Sequence, residues 1–380
     1  MMEKILRIAQ VMGKMENGGV ESVVMNYYRH IDRSKIQFDF IADNDSSIPQ
    51  RAEIEALGGR VIEVAPYQKI NRYLAELTEI FKKNEYKIVH SHLNTLSVFP
   101  LYAAKKAGVP IRIAHNHSTA GKGEYKKNIM KYMLRPFAKV NATHYAACSR
   151  YAGAWLFGEK AVDSGEVTIF NNAIDLDKFK FNEEVRSRVR RTLDIEDRFV
   201  VGHIGRFCYQ KNHEFLIDIF NAVHQKNPNA VLMLIGEGDL EYAVRQKVED
   251  KGLMDSVMFL GNRNDVHELY QAMDVFVLPS RYEGLGMVAV EAQIAGVRTI
   301  VSTEVPDDVA ITDSIEFLNL SDSVERWNDK VLNGKEHPVL LKDKSDQFNI
   351  HIWSQKLEEY YGKILHIDLN KEVILSNGKK

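Results

Sequence analysis

Along most of this chain, apolar strand-like runs alternate with amphipathic helical stretches, and the alternation starts afresh near the middle. Ile5–Val11, Phe38–Ala42, Val61–Val64, Ile88–His90, Ile111–Ala114 and His144–Ala147 read as strands. Helices are predicted between them over Gly19–Ile31, Asn71–Lys83, Thr95–Lys106, Lys126–Lys139 and Arg150–Phe157. A turn-rich stretch at Asn171–Asp175 and a charged connector at Asn182–Asp197 follow. A second set then begins, with strands at Phe199–Ile204, Val231–Ile235, Val257–Leu260, Val275–Leu278 and Thr299–Val301. Its helices fall over Glu214–His224, Leu240–Lys251, Asp265–Met273 and Gly286–Ala295. Strands separated by helices predict parallel sheets covered on both faces, and 380 residues exceed what one core usually holds. The expectation is two α/β domains in tandem, residues 1–175 and 176–351. A last helix, near Ile352–Ile364, is expected to pack back on the first domain within a segment running to 380.

Composition narrows the function classes. Two cysteines, Cys148 and Cys208, with no CxxC spacing argue against a disulfide framework or a zinc knuckle and fit a reducing compartment. The first residues read as a charged strand rather than a signal peptide, and no apolar run approaches the roughly 20 residues of a spanning helix. Net charge is -2 but unevenly spread. Residues 1–170 carry 24 Lys and Arg against 17 Asp and Glu, and the rest 26 against 35, so the halves are expected to face different partners.

The densest chemistry lies in Arg281-Tyr282-Glu283-Gly284-Leu285-Gly286-Met287 and on to Glu291. A buried strand, Val275–Leu278, leads through a glycine-bearing loop into a helix starting near Gly286. Such a helix start points free backbone N–H groups at the loop and makes an anion site. Glu283 and Glu291, eight positions apart, flank it. Carboxylates accept from hydroxyls rather than bind phosphate, so the pattern suits a sugar–diphosphate–ribose ligand. A plain turn, with a glutamate complementing the helix dipole, is the bland alternative.

Arg206 and Lys211, five residues apart, follow the strand Phe199–Ile204 and could meet a phosphate with a planar fork and a point charge. Their place after a parallel strand is where ligands bind in such sheets; two solvated cations are the alternative. Asn17-Gly18-Gly19-Val20-Glu21 after the first strand would let a backbone approach a ligand closely, or form only a tight turn. His90-Ser91-His92 and His115-Asn116-His117 look like metal-ligating pairs, but both end buried strands with no acidic ligand spaced beside them. No metal is therefore assigned, and His117 is kept as a polar candidate. Asp43-Asn44-Asp45 reads as a turn rather than a metal motif. Gly236-Glu237-Gly238 lacks the third glycine and ribose acid of a dinucleotide fingerprint, which weakens a dehydrogenase reading. Lys122–Lys139 interleaves basic residues with Ile129, Met130, Met133, Leu134 and Phe137, a pattern suited to an anionic membrane surface or to an ordinary surface helix.

Together these residues resemble the retaining glycosyltransferases of family four, over nearly the whole chain. Asn17–Glu21, His115–His117, Ala147–Arg150, Gly205-Arg206 with Gln210–Asn212, and the Glu283/Glu291 pair look closest to the EpsF-type exopolysaccharide and capsule transferases. The resemblance implies the GT-B fold, two Rossmann-like domains across a cleft. Gly18 and Gly19 would then approach the donor's diphosphate, and Arg206 and Lys211 would neutralise it. Glu283 would hold the transferred sugar and Glu291 the ribose. The amides around Gly284, Leu285, Gly286 and Met287 would cradle phosphate. His117 would lie by the anomeric carbon and the base near Gly261–Arg263. The implied reaction moves a hexose or N-acetylhexosamine from a UDP-sugar, with retention, to a lipid-linked saccharide for a surface polysaccharide. No cofactor, metal or nucleic acid is expected, and the site of action would be the inner face of the cell membrane. Ala173 stands where relatives usually have glycine and is expected only to stiffen the interdomain turn, while Gly286-Met287-Val288 departs from the commoner proline-bearing loop, which leaves the donor sugar open. Two other readings stand beside this one: a nucleotide-sugar epimerase of similar fold, and a non-catalytic transferase-like subunit.

Overall fold

The computed structural model describes residues 5–16, 18–118, 125–333 and 343–366. Asn17, Lys122 and the chain beyond His366 lie outside the described residues, as do the side chains of Lys126 and Lys127. The chain divides into two compact units: the described residues up to Ile174 together with those from Gln347, and Asp175–Asp346.

The first unit is built on seven parallel strands: β1 (Leu6–Gly13), β2 (Ile36–Asp43), β3 (Arg60–Val64), β4 (Ile88–Ser91), β5 (Ile111–Asn116), β6 (His144–Ala147) and β7 (Val167–Ile169). Their order is β3-β2-β1-β4-β5-β6-β7. The second unit has six, also parallel: β8 (Phe199–Ile204), β9 (Ala230–Ile235), β10 (Val257–Phe259), β11 (Val275–Leu278), β12 (Arg298–Ser302) and β13 (Ile315–Leu318), ordered β10-β9-β8-β11-β12-β13. In both sheets the order reverses beside the first strand, between β1 and β4 and between β8 and β11. Such a reversal opens a crevice at the C-terminal ends of the strands. The central strands are buried on both faces, as their unbroken apolar runs require: every residue of β9 and β11 is buried.

The C-terminal helix spans Ile350–Leu365. Ile350, Leu357 and Tyr361 join the core of the first unit beside Met25, Tyr28 and Phe38, so the chain does return to its first sheet. Asn349 caps this helix by accepting from the His351 N–H at 3.0 Å.

The sequence reading missed several elements. β7 and β13 are edge strands of three and four residues, too short for a periodic signal. The expected charged connector at 182–197 holds a helix, Glu183–Thr192, capped by Asn182. Its inner side joins the buried Val189 to the buried Arg190, which with Arg186 grips Asp274 at 3.2 and 2.5 Å. The basic helix expected over Lys126–Lys139 stops at Leu134, where Pro136 converts the chain to a short 3₁₀ turn.

Candidate active site

In the second unit the crevice brings together the loops after β8 and β11. Gly205 opens the first loop, where an added Cβ would meet the Lys211 stem at 3.0 Å. Gly236 and Gly238, at φ +132° and +159°, lie against this loop; a Cβ at either would strike the Gly205 or Phe207 carbonyl at 2.4 and 2.5 Å. The Gly-Glu-Gly fragment therefore packs two loops together and carries no dinucleotide signature. Gly261, at φ +63°, continues the stack by accepting from the Gly236 N–H at 2.9 Å.

Glu283 is almost fully buried and accepts from Lys211 Nζ at 2.6 Å, Ser280 Oγ at 2.6 Å and Gln210 Nε2 at 3.0 Å. Lys211 is itself only 14% exposed. The two residues assigned separately from the sequence, 72 positions apart, thus form one ion pair with the carboxylate fixed by two further donors. A pair removed from water is strong only when its remaining valences are satisfied, as here. Arg206 is exposed, with no ion pair among the described residues. Arg263 is tied back to Asp265 at 2.8 and 2.5 Å, so the Gly261–Arg263 loop is braced by its own side chains.

The helix Met287–Ile294 starts directly after this loop, with Gly286 at φ +87° as its N-cap. A side chain there would be strained and would also meet Val305 at 3.1 Å. A Cβ on Gly284 would meet nothing within 4 Å. The first N–H groups of this helix, around Leu285, Gly286 and Met287, have no intrahelical acceptor. One turn on, Glu291 accepts from the Tyr270 hydroxyl at 2.9 Å. Loss of hydration raises its carboxyl, opposed by that hydrogen bond and by the field of Lys211. Tyr270 was not singled out in the sequence, where only its place on the helix before β11 could have marked it.

In the first unit, Gly18 caps the helix Gly19–His30, and Glu21 closes the loop by accepting from the Glu16 and Gly18 amides at 3.0 and 2.7 Å. A Cβ on Gly19 would meet nothing within 4 Å, so the protein itself does not require glycine there. The two histidine pairs do end β4 and β5. His90, His92 and His115 are 2%, 5% and 4% exposed, and with Gln10, His117 and Tyr361 they line a small cavity. Burial drives all four imidazoles below their ordinary range, His90 and His117 to about 3. His90, His92 and His115 place ligand-type nitrogens within 4.8 Å of one another, but their ring nitrogens, His115 Nε2 apart, are engaged in hydrogen bonds. Asp43-Asn44-Asp45 forms a turn at the end of β2, with the Ser46 N–H donating to the Asp43 carbonyl at 3.0 Å.

Two parallel sheets, each reversing its order beside its first strand, with paired acids, two cations and a helix N-terminus after β8 and β11, fit a glycosyltransferase. Residues 185–333 match the family described as glycosyl transferases group 1, and residues 17–178 that described as glycosyltransferase family 4. EpsF of Bacillus subtilis, named as a glycosyltransferase, is 33% identical over 332 residues, 86% of this chain and 86% of its own. The Escherichia coli UDP-Gal:alpha-D-GlcNAc-diphosphoundecaprenol alpha-1,3-galactosyltransferase is 29% identical over 235 residues, 60% of this chain and 61% of its own. The structure of Anabaena HepE in complex with UDP and glucose matches with a TM-score of 0.78 at 18% identity, covering 94% of this chain and 99% of that one, a likeness of fold. The chain belongs to the family-four glycosyltransferases and has their GT-B architecture.

Proposed function

We propose that this glycosyltransferase moves a hexose or N-acetylhexosamine from a UDP-sugar to a lipid-linked saccharide, with retention and without a metal, in the assembly of a surface polysaccharide. The observation that carries the reading is the buried Glu283 carboxylate held by Lys211 and Ser280 beside the start of the helix Met287–Ile294. Glu283 retains acceptor capacity for sugar hydroxyls, and Glu291 offers the same to a ribose. Arg206, Lys211 and the helix N-terminus would stabilise the charge that grows on the departing diphosphate. Gly18 and Gly19 would approach that diphosphate, and His117 would face the sugar near the anomeric carbon. The loop Gly261–Arg263 would meet the base. The Escherichia coli relative is named for a UDP-sugar donor and a lipid diphosphate acceptor, and HepE holds UDP and glucose; both support this class of substrate.

The acceptor would be met at the inner face of the cell membrane. Ile129, Tyr132, Met133, Phe137 and Val140 are 53–68% exposed on and after the helix Tyr125–Leu134, interleaved with Lys131, Arg135 and Lys139. Apolar anchors among cations suit an anionic bilayer surface. Replacing Met133 and Phe137 by Glu should abolish co-sedimentation with anionic liposomes at low salt; unchanged binding would exclude this surface.

The transfer reading is tested with radiolabelled UDP-glucose, UDP-galactose and UDP-N-acetylglucosamine and a lipid-diphosphate saccharide extract, with and without EDTA. Label passing to the lipid fraction with the α-configuration of the donor kept, insensitive to EDTA, is expected. Epimerised UDP-sugar without transfer, or inverted product, would contradict it.

A further inference from the structure

The cavity in the first unit is lined by a hydrogen-bonded chain of six side chains from four segments of the sequence. Gln10 on β1 sits at its centre, paired in register with His90 on β4. Gln10 Oε1 meets His92 Nε2 at 2.8 Å, and His92 Nδ1 meets His117 Nε2 at 2.9 Å. On the other arm, Gln10 Nε2 donates to the Tyr361 hydroxyl at 3.2 Å, Tyr361 meets His90 Nδ1 at 2.7 Å, and His90 Nε2 meets His115 Nδ1 at 3.0 Å. His115 and His117 stack with centroids 4.0 Å apart. Each chain ends in a buried nitrogen with no hydrogen-bond partner: His115 Nε2 and His117 Nδ1.

A neutral imidazole carries one N–H and one bare nitrogen, an amide oxygen only accepts, and an amide nitrogen only donates. Those rules propagate along both arms. Because Gln10 Oε1 accepts, His92 carries its proton on Nε2, His117 carries its proton on Nε2, and His117 Nδ1 is bare. Because Gln10 Nε2 donates, the Tyr361 proton passes to His90 Nδ1, His90 Nε2–H donates to His115 Nδ1, and His115 carries its proton on Nε2. Turning the amide over would reverse every member of both arms together. In either orientation the two stacked rings end with opposite polarity, one acceptor and one donor.

We propose that Gln10 is a positioning residue that couples the tautomers of His115 and His117 through its amide, so that one of the two stacked rings presents a bare nitrogen and the other an N–H, with Tyr361 of the C-terminal helix as the link on the second arm. Burial of the four rings keeps them neutral, the condition that the coupling needs. The catalytic consequence rests on the reading that His117 faces the transferred sugar; the coupling itself does not.

Gln10→Glu separates the two. A carboxylate accepts on both arms, so His117 Nδ1 stays bare while His115 is forced to lose its Nε2 proton. The experiment is nitrogen-15 NMR of the histidine rings in the full-length protein, alongside steady-state transfer kinetics. In the wild type one of the two end nitrogens should be protonated and the other bare; in Gln10→Glu both should be bare. Where that variant does not fold, Gln10→Met serves: it cuts both arms, and each ring should become an independent mixture of tautomers. In whichever variant folds, kcat should fall about tenfold with the KM for donor within about twofold, since geometry is lost without donor contacts. Like polarity at both ends in the wild type, or unchanged tautomers at both rings in the variants, would overturn the coupling. Shifted tautomers with unchanged kcat would overturn its catalytic consequence. A wild type with no transferase activity but coupled tautomers would count against the transferase reading alone.

Discussion

The two units place polar side chains at the C-terminal ends of their central strands and stabilise them by opposite means. After β8 and β11, the second unit holds a charged pair, Lys211 and Glu283, at 2.6 Å, with Ser280 and Gln210 also donating to the carboxylate. After β1, β4 and β5, the first unit holds no ion pair in its histidine cluster; its four imidazoles are kept neutral by burial and tied into hydrogen-bonded chains. Charge suits the proposed site, which would meet a diphosphate and stabilise its departure. Neutral polar groups, each with one donor and one acceptor nitrogen, suit hydrogen bonding without attracting charge. The contrast follows the division of charge along the sequence only in part: the more basic half of the chain contains the uncharged cluster.

The largest effect expected from breaking this contrast is in the charged unit. Glu283→Ala should lower kcat by roughly a thousandfold, in the range seen when one preorganised transition-state contact is removed, with circular dichroism unchanged. Retention of more than about a tenth of wild-type turnover would remove Glu283 from its role. Lys211→Met should be costly in a second way, since it leaves a buried carboxylate without its cation, a loss of about 3 kcal/mol in the melting transition. If Glu283→Gln restores stability in that background, the pairing is confirmed as the cause.

Acid should act mainly on the neutral unit. The folded imidazoles of His90, His92, His115 and His117 titrate below the ordinary 6.5, so the unfolded chain takes up protons first. Stability is therefore whole above about pH 6.5 and is lost as pH falls toward the folded values, at about 1.4 kcal/mol per pH unit for each ring. In the second unit His203, His213 and His267 are also held below the ordinary range, His213 near 4. Asp43 and Glu291, one in each unit, are raised by burial and oppose the trend on both sides. Native-state hydrogen exchange between pH 7 and 5 should show β4 and β5 losing protection before β8 and β11. The reverse order would break the comparison.

A smaller effect tests the loop that carries the charge. Gly286→Ala should cost about 1 kcal/mol of stability, because φ +87° disfavours any side chain, and should weaken nucleotide binding by tilting the first N–H groups of the helix. Unchanged stability and binding would show that the loop tolerates another conformation.

The chemistry of the charged unit was legible because charge is a local property of sequence: Arg206 with Lys211, and Glu283 with Glu291, each sit within a dozen residues of one another after a recognisable strand. The Lys211–Glu283 contact was not, since it joins two loops 72 residues apart. The signal was available in the topology, because β8 and β11 flank the order reversal. The neutral network was harder to see. Its members lie at 10, 90–92, 115–117 and 361, and a glutamine in a strand is unremarkable until its neighbours are known. Gln10 is nevertheless a polar residue in the otherwise apolar run Ile8–Met12, which is the one mark it leaves. The helix Glu183–Thr192 escaped for a related reason: its inner face sets Val189 among Arg186 and Arg190 gripping Asp274, and hydrophobic periodicity is blind to salt bridges.

In the proposed function the second unit holds a uridine diphosphate sugar between Lys211, Glu283 and Glu291. Thermal unfolding of the wild type and of Glu291→Ala, without added metal, in the presence of UDP, GDP, ADP or CMP tests it most directly, because a ligand of the folded state alone raises the transition by mass action. A rise is expected with UDP, larger than with the other nucleotides and lost in Glu291→Ala. No rise with any nucleotide, or an equal rise in the variant, would contradict it.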